Sequence, residues 1–571
     1  MRATVLPFLA LVACNAGSGG KGEPRSEAEP AVEEAAFVLL NDMDRLTRIA
    51  MSLKGSRPSD DEIDAVMADP GALDRIVDAY LDDPAFGQAV MEIENESFLF
   101  RVERRSAQDT REGMDGESFL TWAEAFYEPP LRIIEHVVTN DLPYSDIVTM
   151  NRTMANPYSP YIWEDLDFSS WDPDGPEWQL VPYVVDDGGQ GRPGGGILST
   201  GSLHRRYLGN DPNAHRRKTA AMAGALICTD YFNQDVDVGS VDISDDAAVL
   251  DAILHEPACV SCHQTMDPMA NFFWGFSPKG VFLQDDYPVD LWRSSEIGHR
   301  NGDTKAEFFT GRPTGYYGRG GQTMEDLGQH IAGDSRFTTC AARRYWSWFL
   351  QVPIDDVPQG LVEDAQAAML EDGMRIKGMV KHIVLSDRFA LSHVADPTES
   401  EHVAGYLRTR PRQMSRLMQD LAGFRWEGSM REDQIDLSYS AHMGFAVHAG
   451  GIDSEKKTVP SFEYSVTGSA YLRSFAEEAA GHVVEFDFEA PASERQLLQW
   501  VEAGTTDEAV LREQLAYLHR RILAELVEVD SPEVDASLAL LEQIRTITDD
   551  DVTAWKVLLT ALFQDVRVAY H

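Results

Sequence analysis

The sequence predicts a mainly α, multi-domain helical protein with long irregular loops. Three observations carry that expectation. Apolar residues recur at helical spacing in several separate stretches. Runs rich in Pro and Gly interrupt them. The chain has 571 residues, more than one ordinary core accommodates, which points to about three or four domains.

The chain opens with a targeting pattern. Met1-Arg2 gives a short positive start, and Ala3 to Ala13 is an apolar run far too short to span a bilayer. The run ends in Leu11-Val12-Ala13-Cys14, which resembles the lipobox of bacterial lipoproteins. Residues 1–14 therefore read as a lipoprotein signal peptide with Cys14 as the lipidated residue; an ordinary secretory signal with an incidental Cys is the alternative. Residues 15–36 are small, Gly- and Glu-rich and without core formers, as expected of a flexible tether. No later apolar run approaches spanning length, so the expected location is the cell envelope, periplasmic or on the outer-membrane surface. The membrane is reached through the N-terminal lipid alone.

Residues 37–155 read as an N-terminal helical domain. Ser59-Asp60-Asp61-Glu62 is a capping-box pattern before Ile63, Val66 and Met67. Leu73, Ile76, Val77, Tyr80 and Leu81 then repeat at helical spacing, with Asp69-Pro70 and Asp83-Pro84 as punctuation. Residues 156–210 form an irregular region in which Pro, Gly, Asp and Trp crowd together. Its glycines from Gly188 to Gly196 lack phosphate-loop spacing and read as a surface loop. Helical pattern returns over Ala220 to Cys228, Asp246 to Leu254, Met324 onward, Ala341 to Leu350 and Leu361 to Leu385. Residues 396–571 read as a C-terminal helical domain. Its clearest helix follows Thr505-Thr506-Asp507-Glu508, a second capping box, and shows Leu511, Leu515, Leu518, Ile522 and Leu526 on one face.

Composition excludes some functions. With 49 basic and 94 acidic side chains the net charge is −45, so the surface repels nucleic acid and anionic headgroups. Such charge keeps an exported protein soluble; guidance of a cationic partner is the second reading. There is no GxSxG, HExxH or P-loop, leaving hydrolase and kinase readings without support.

The chemistry concentrates in His255-Glu-Pro-Ala-Cys259-Val-Ser-Cys262-His263-Gln-Thr-Met266-Asp-Pro-Met269. CxxCH is the attachment signature of a c-type haem. Two thiols one helical turn apart can each form a thioether to a haem vinyl group, and the next residue offers an imidazole to the iron. Chance placement of five Cys and fifteen His in this pattern is on the order of one in a thousand. The fold expectation thus gains an embedded cytochrome c-like haem module, residues 211–395, holding one covalent haem through Cys259 and Cys262 with His263 as proximal iron ligand. A zinc site recruiting His255, Cys228 or Cys340, and a simple disulfide, are the alternatives.

The second axial ligand must come from farther along, because Met266 and Met269 share the proximal segment and pack beside the ring. Met324 is the expected distal ligand; His299 and His330 are rivals, and an open position is the remaining option. Cys228 and Cys340 form either a candidate disulfide or two free thiols. His442 and His448, and the carboxylates Asp165, Asp167, Asp172 and Asp174, are weaker metal patterns.

Cys259 to Phe276, CVSCHQTMDPMANFFWGF, resembles the CxSCHxxMDPxGF element of the planctomycete-type cytochrome c-domain protein families, large exported bacterial proteins. Gly195 to Leu203, His215 to Lys218, Leu226 to Cys228 and Phe337 to Arg344 are similar to other elements of those families, as are Leu46 to Phe86 and Glu128 to Asn156. The likeness covers much of residues 40–395. It implies haem-bearing electron-transfer proteins working beside exported enzymes of polymer or sugar breakdown, and it favours the Cys228–Cys340 disulfide. Met269-Ala270-Asn271 and Phe273-Trp274 depart from the family pattern at the ring's surroundings.

Three functions follow as expectations. The first is electron transfer to or from a periplasmic or surface redox partner. The second is a haem-dependent oxidoreductase with an open distal site. The third is a surface-anchored binding or scaffold lipoprotein whose CxxCH is vestigial or holds zinc.

Overall fold

In the computed structural model the described residues are 37–103, 119–163, 165–185, 191–207, 215–232, 241–242, 244–273, 275–276, 282, 311–394, 405–430, 433–441, 444–463 and 465–571. Cys14, the tether, His299 and His442 lie outside them. Helix dominates, as the periodicity predicts.

The first helices are α1 (Asp42–Leu53), α2 (Asp60–Ala68), α3 (Ala72–Asp82) and α4 (Pro84–Phe98). The Ser59/Glu62 capping box forms as read, with both reciprocal bonds present. Asp83 caps α4, and Pro84 occupies its first turn, where a missing N–H is harmless. After α5 (Phe119–Tyr127), α6 (Pro129–Thr139) and α7 (Asp146–Thr149) come the short α8 (Ser159–Ile162) and α9 (Gly201–Arg206). Next are α10 (Arg216–Ile227), α11 (Asp246–His255), α12 (Pro257–Ala270), α13 (Met324–Ala332), α14 (Ser335–Leu350), α15 (Gln359–Glu371) and α16 (Ile376–Leu385). The C-terminal part holds α17 (Pro411–Ala422), α18 (Val466–Glu489), α19 (Glu508–Leu518), α20 (Pro532–Thr548), α21 (Asp551–Phe563) and α22 (Val566–Ala569).

The strands among the described residues pair as small antiparallel ribbons. One joins Phe37–Leu39 to Leu391–Val394, so two distant parts of the chain close on each other. Another pairs Glu427–Met430 with Asp433–Asp436.

One continuous core gathers residues from Met43 to Phe389, including Val90, Ile134, Leu226, Met324, Trp346 and Met379. The helices before residue 156 and those between residues 211 and 389 therefore share a single buried interior. A second core joins α17 to α22 around Leu417, Phe475, Leu515 and Trp555. Met51 of α1 belongs to this second core. Arg57 donates to the Ile522 carbonyl at 3.1 Å, and Arg416 of α17 to Glu92 of α4 at 2.6 Å. The two cores meet along this seam.

Three expectations change. Asp507, not Thr505, caps α19, accepting from the N–H groups of Ala509 and Val510, because its carboxylate reaches both first-turn donors. The apolar face of α19 holds through Ile522, but a π-turn over His519–Leu523 and a left-handed Ala524 then swing the chain away, so Leu526 is 46% exposed. Gly194 to Gly196 are buried and not on the surface. Gly195 and Gly196 both donate to the Met150 carbonyl, at 3.0 and 2.7 Å. A Cβ on Gly196 would sit 2.0 Å from the Ile147 carbonyl oxygen, so only glycine fits there.

Candidate functional site

The segment singled out in the sequence folds as α12. Pro257 fits its first turn, and α11 leads directly into it through Glu256. Cys259 and Cys262 are half-buried free thiols, one helical turn apart. His263 follows, with its side chain 21% exposed.

The imidazole is oriented from inside the protein. Its Nδ1 lies 2.9 Å from Oδ1 of Asp267, one turn farther along the same helix. Asp267 is fully buried, and Arg216 of α10 grips it bidentately, Nε to Oδ1 at 2.7 Å and Nη2 to Oδ2 at 3.0 Å. Burial pushes the Asp267 carboxyl up, but hydrogen bonds from His263 and Arg216 outweigh it and hold the group below its ordinary range. An ionised carboxylate only accepts, so Nδ1 of His263 is the donor, and in the neutral imidazole this leaves the lone pair on Nε2. Nε2 has no hydrogen-bond partner among the described residues. This is the arrangement by which a carboxylate fixes the tautomer of a metal-ligating histidine.

Sequence reading missed Asp267 and Arg216. The i, i+4 spacing of His263 and Asp267 on a helix was the available signal for the first. No local signal could have found Arg216, whose contact is long-range.

The opposite face of α12 packs inward. Met266, Met269 and Ala270 are buried, and Met269 and Phe273 line a crevice of about 20 Å³ shared with Tyr316 and Leu327. That space is far too small for a porphyrin, and Cys259, Cys262 and His263 lie on the other, half-exposed side of the helix. The donor set fits a c-type haem: two free thiols, correct spacing, and an imidazole with one nitrogen secured and one available.

Met324 begins α13 behind a Thr323/Asp326 capping box, is 1% exposed, and sits in the same core as Met269 and Phe273. Its rival His330 places Nε2 2.9 Å from the Gly320 carbonyl and stacks on Tyr316. Cys228 and Cys340 form a disulfide, with Cα atoms 5.4 Å apart, tying the end of α10 to α14. Neither sulfur is then available to zinc. His255 is 68% exposed in its side chain and lies 3.0 Å from Asp251. Among the described residues no three His, Cys, Asp or Glu side chains converge as a metal site. Asp165 pairs with Arg192, Asp167 caps the Ser169 N–H, and Asp172 accepts from the Asp174 N–H. His448 is exposed.

Behind α12 lies a buried basic cluster. His204 is wholly buried and stacks on Phe276 at 4.1 Å. Lys218 is also wholly buried, its Nζ 2.8 Å from Nδ1 of His215. Burial pushes the Lys218 ammonium down to about 7. Burial, then the Lys218 charge, hold His204 well below its usual range.

No protein-family model, curated protein or solved structure matches this chain. No described helix is long and apolar enough to cross a membrane.

Proposed function

We propose that the chain is a c-type haem protein of the bacterial cell envelope that passes electrons to or from a periplasmic or surface partner. The observation that carries this reading is the geometry of α12: free thiols at Cys259 and Cys262 beside a His263 whose Nδ1 is held by a buried carboxylate. The likeness of Cys259 to Phe276 to planctomycete-type cytochrome c-domain proteins supports it, as does the lipobox ending in Cys14, which anchors the chain through lipid.

A haem bound here supplies one-electron chemistry. The chain's own residues do the rest. Cys259 and Cys262 fix the cofactor covalently, so it is not lost into a dilute compartment. Asp267 holds the Nδ1 proton of His263 and makes the imidazole a stronger donor, which favours the oxidised state. Arg216 keeps Asp267 ionised. Met324 would be the distal ligand of a six-coordinate iron; in the structure it packs with Met269 and Phe273 on the inward side of α12, so serving as ligand would require it to leave that core.

The test is expression with a c-type maturation system followed by a pyridine haemochrome spectrum. Covalent haem that survives denaturation in the unaltered chain, and is lost in Cys259→Ser/Cys262→Ser, is expected. A tryptic peptide spanning Val260 that is free of porphyrin in the native host would overturn the reading.

The His263–Asp267 pair also favours a second reading, a haem-dependent oxidoreductase with an open distal position. A strongly donating proximal imidazole suits that chemistry too. The ferric spin state decides between them: stable low spin, lost in Met324→Ala, selects electron transfer, whereas high spin with ready cyanide binding selects the oxidoreductase.

A further inference from the structure

Independently of the haem reading, the seam between the two cores encloses a polar cavity of about 300 Å³, within the range of small-molecule sites. Its walls come from α4 to α6 on one side and from α17 and the ribbon near Asp436 on the other. A smaller hollow of about 80 Å³ adjoins it, sharing Arg101, Glu103, Arg412 and Tyr439.

Most charges in the cavity are already matched. Glu128 is 4% exposed and takes Arg101 at 2.8 Å and Arg132 at 3.1 Å. Glu103 accepts from the Ser440 hydroxyl at 2.7 Å and the Ala441 N–H at 3.0 Å. Asp436 accepts from Ser415 at 2.6 Å.

Besides the exposed Glu427, two half-buried groups stand apart. Arg412 lays its guanidinium over the Tyr439 ring, 4.0 Å from the centroid, and makes no ion pair or hydrogen bond among the described residues. The half-buried Glu124 carboxyl likewise has no hydrogen-bond partner there. Arg412 is half-buried, with Glu92 and Glu128 near but not bonded to it, and the planar fork of a guanidinium left without a direct anion matches a carboxylate. The ionised carboxylates around it offset a single positive charge and would repel a dianion.

We infer that this cavity binds a small hydroxylated monocarboxylate, its carboxylate on Arg412 and its hydroxyls toward Glu124. In a chain of net charge −45, an unmatched guanidinium inside a cavity is the kind of feature that selects one anion from many. The lining is more polar than apolar, which suits a polyhydroxylated ligand.

The acid–base setting adds a signature. Burial, and next the Glu128 carboxylate, push Glu124 up to about 7, while Arg132 and Arg101 pull it down and Glu177 raises it further. Below that pH the carboxyl is neutral and no longer repels the ligand, so affinity rises as pH falls from 8 to 6.

The test is isothermal titration of the full chain with D-gluconate, with D-glucose as the neutral counterpart and inorganic phosphate as the competing anion. Saturable gluconate binding, at least about tenfold tighter than glucose, is expected. Arg412→Gln should weaken gluconate by about tenfold or more, and Glu124→Gln should keep binding while flattening its pH dependence. Should Arg412→Gln fail to fold, the gluconate-to-glucose ratio on the unaltered chain decides alone. No gluconate binding, equal binding of glucose, tighter binding of phosphate, or an unchanged Arg412→Gln each overturns the proposal.

Discussion

Arg216 and Lys218 leave the same helix two residues apart, both are buried, and their surroundings differ completely. Arg216 meets the Asp267 carboxylate in a two-point grip. Lys218 meets the imidazole of His215 and forms no ion pair with a carboxylate among the described residues. A third buried group, Arg344, shows the paired pattern again, bonded to Glu94 and to the Tyr144 hydroxyl. The contrast separates two uses of buried basicity. A paired guanidinium stays charged and rigid, and near α12 it fixes the imidazole. An unpaired ammonium is driven toward neutrality, and its proton becomes sensitive to pH near 7.

The largest expected effect comes from freeing α10 itself. Cys228→Ser/Cys340→Ser removes a link across 112 residues and should cost about 4–5 kcal/mol in urea unfolding. An unfolding midpoint equal to the parent's would mean that packing alone fixes α10.

Next, Asp267→Asn should cost about 3–5 kcal/mol, because it leaves the buried Arg216 uncompensated. Arg216→Met/Asp267→Leu should recover most of that loss in the same assay. If the double variant is as unstable as the single, the pair is not the unit proposed.

Lys218→Met tests the unpaired side. The folded ammonium is lowered to about 7 from 10.5, so between those values the unfolded chain binds more protons and parent stability rises with pH. The variant should be more stable than the parent at pH 7, on the order of 4 kcal/mol, with the difference shrinking toward pH 10. A pH-independent difference would remove Lys218 from that account.

The smallest effect is reserved for the exposed pair on the neighbouring helix. His255→Ala breaks the contact with Asp251 at the surface and should change stability by less than about 0.5 kcal/mol in thermal unfolding.

The sequence announced much of this architecture because helices advertise themselves locally. Ser59 with Glu62, and the row Leu73, Ile76, Val77, Tyr80 and Leu81, needed only near neighbours to be read, and all five of those apolar residues are buried. Leu526 was misjudged because a π-turn changes the phase of a row that periodicity assumes constant. Gly194 to Gly196 misled for another reason: composition cannot say that a loop passes under Met324 and Ile147. The same holds at the sites. The thiols and imidazole of α12 are contiguous and legible; Arg216 is 51 positions from Asp267 and is not. The cavity at Arg412 unites residues near 100 with residues near 430, so no window along the chain contains it.

The bond between Cys228 and Cys340 has a bearing on how the protein withstands proteolysis. A protease that nicks the backbone anywhere between those two residues produces halves that remain joined, and both halves keep their share of the large interior. Such a clipped molecule runs at full size in a denaturing gel until a reductant is added, when it separates into two bands. An α12 carried within that span would keep its place through the damage.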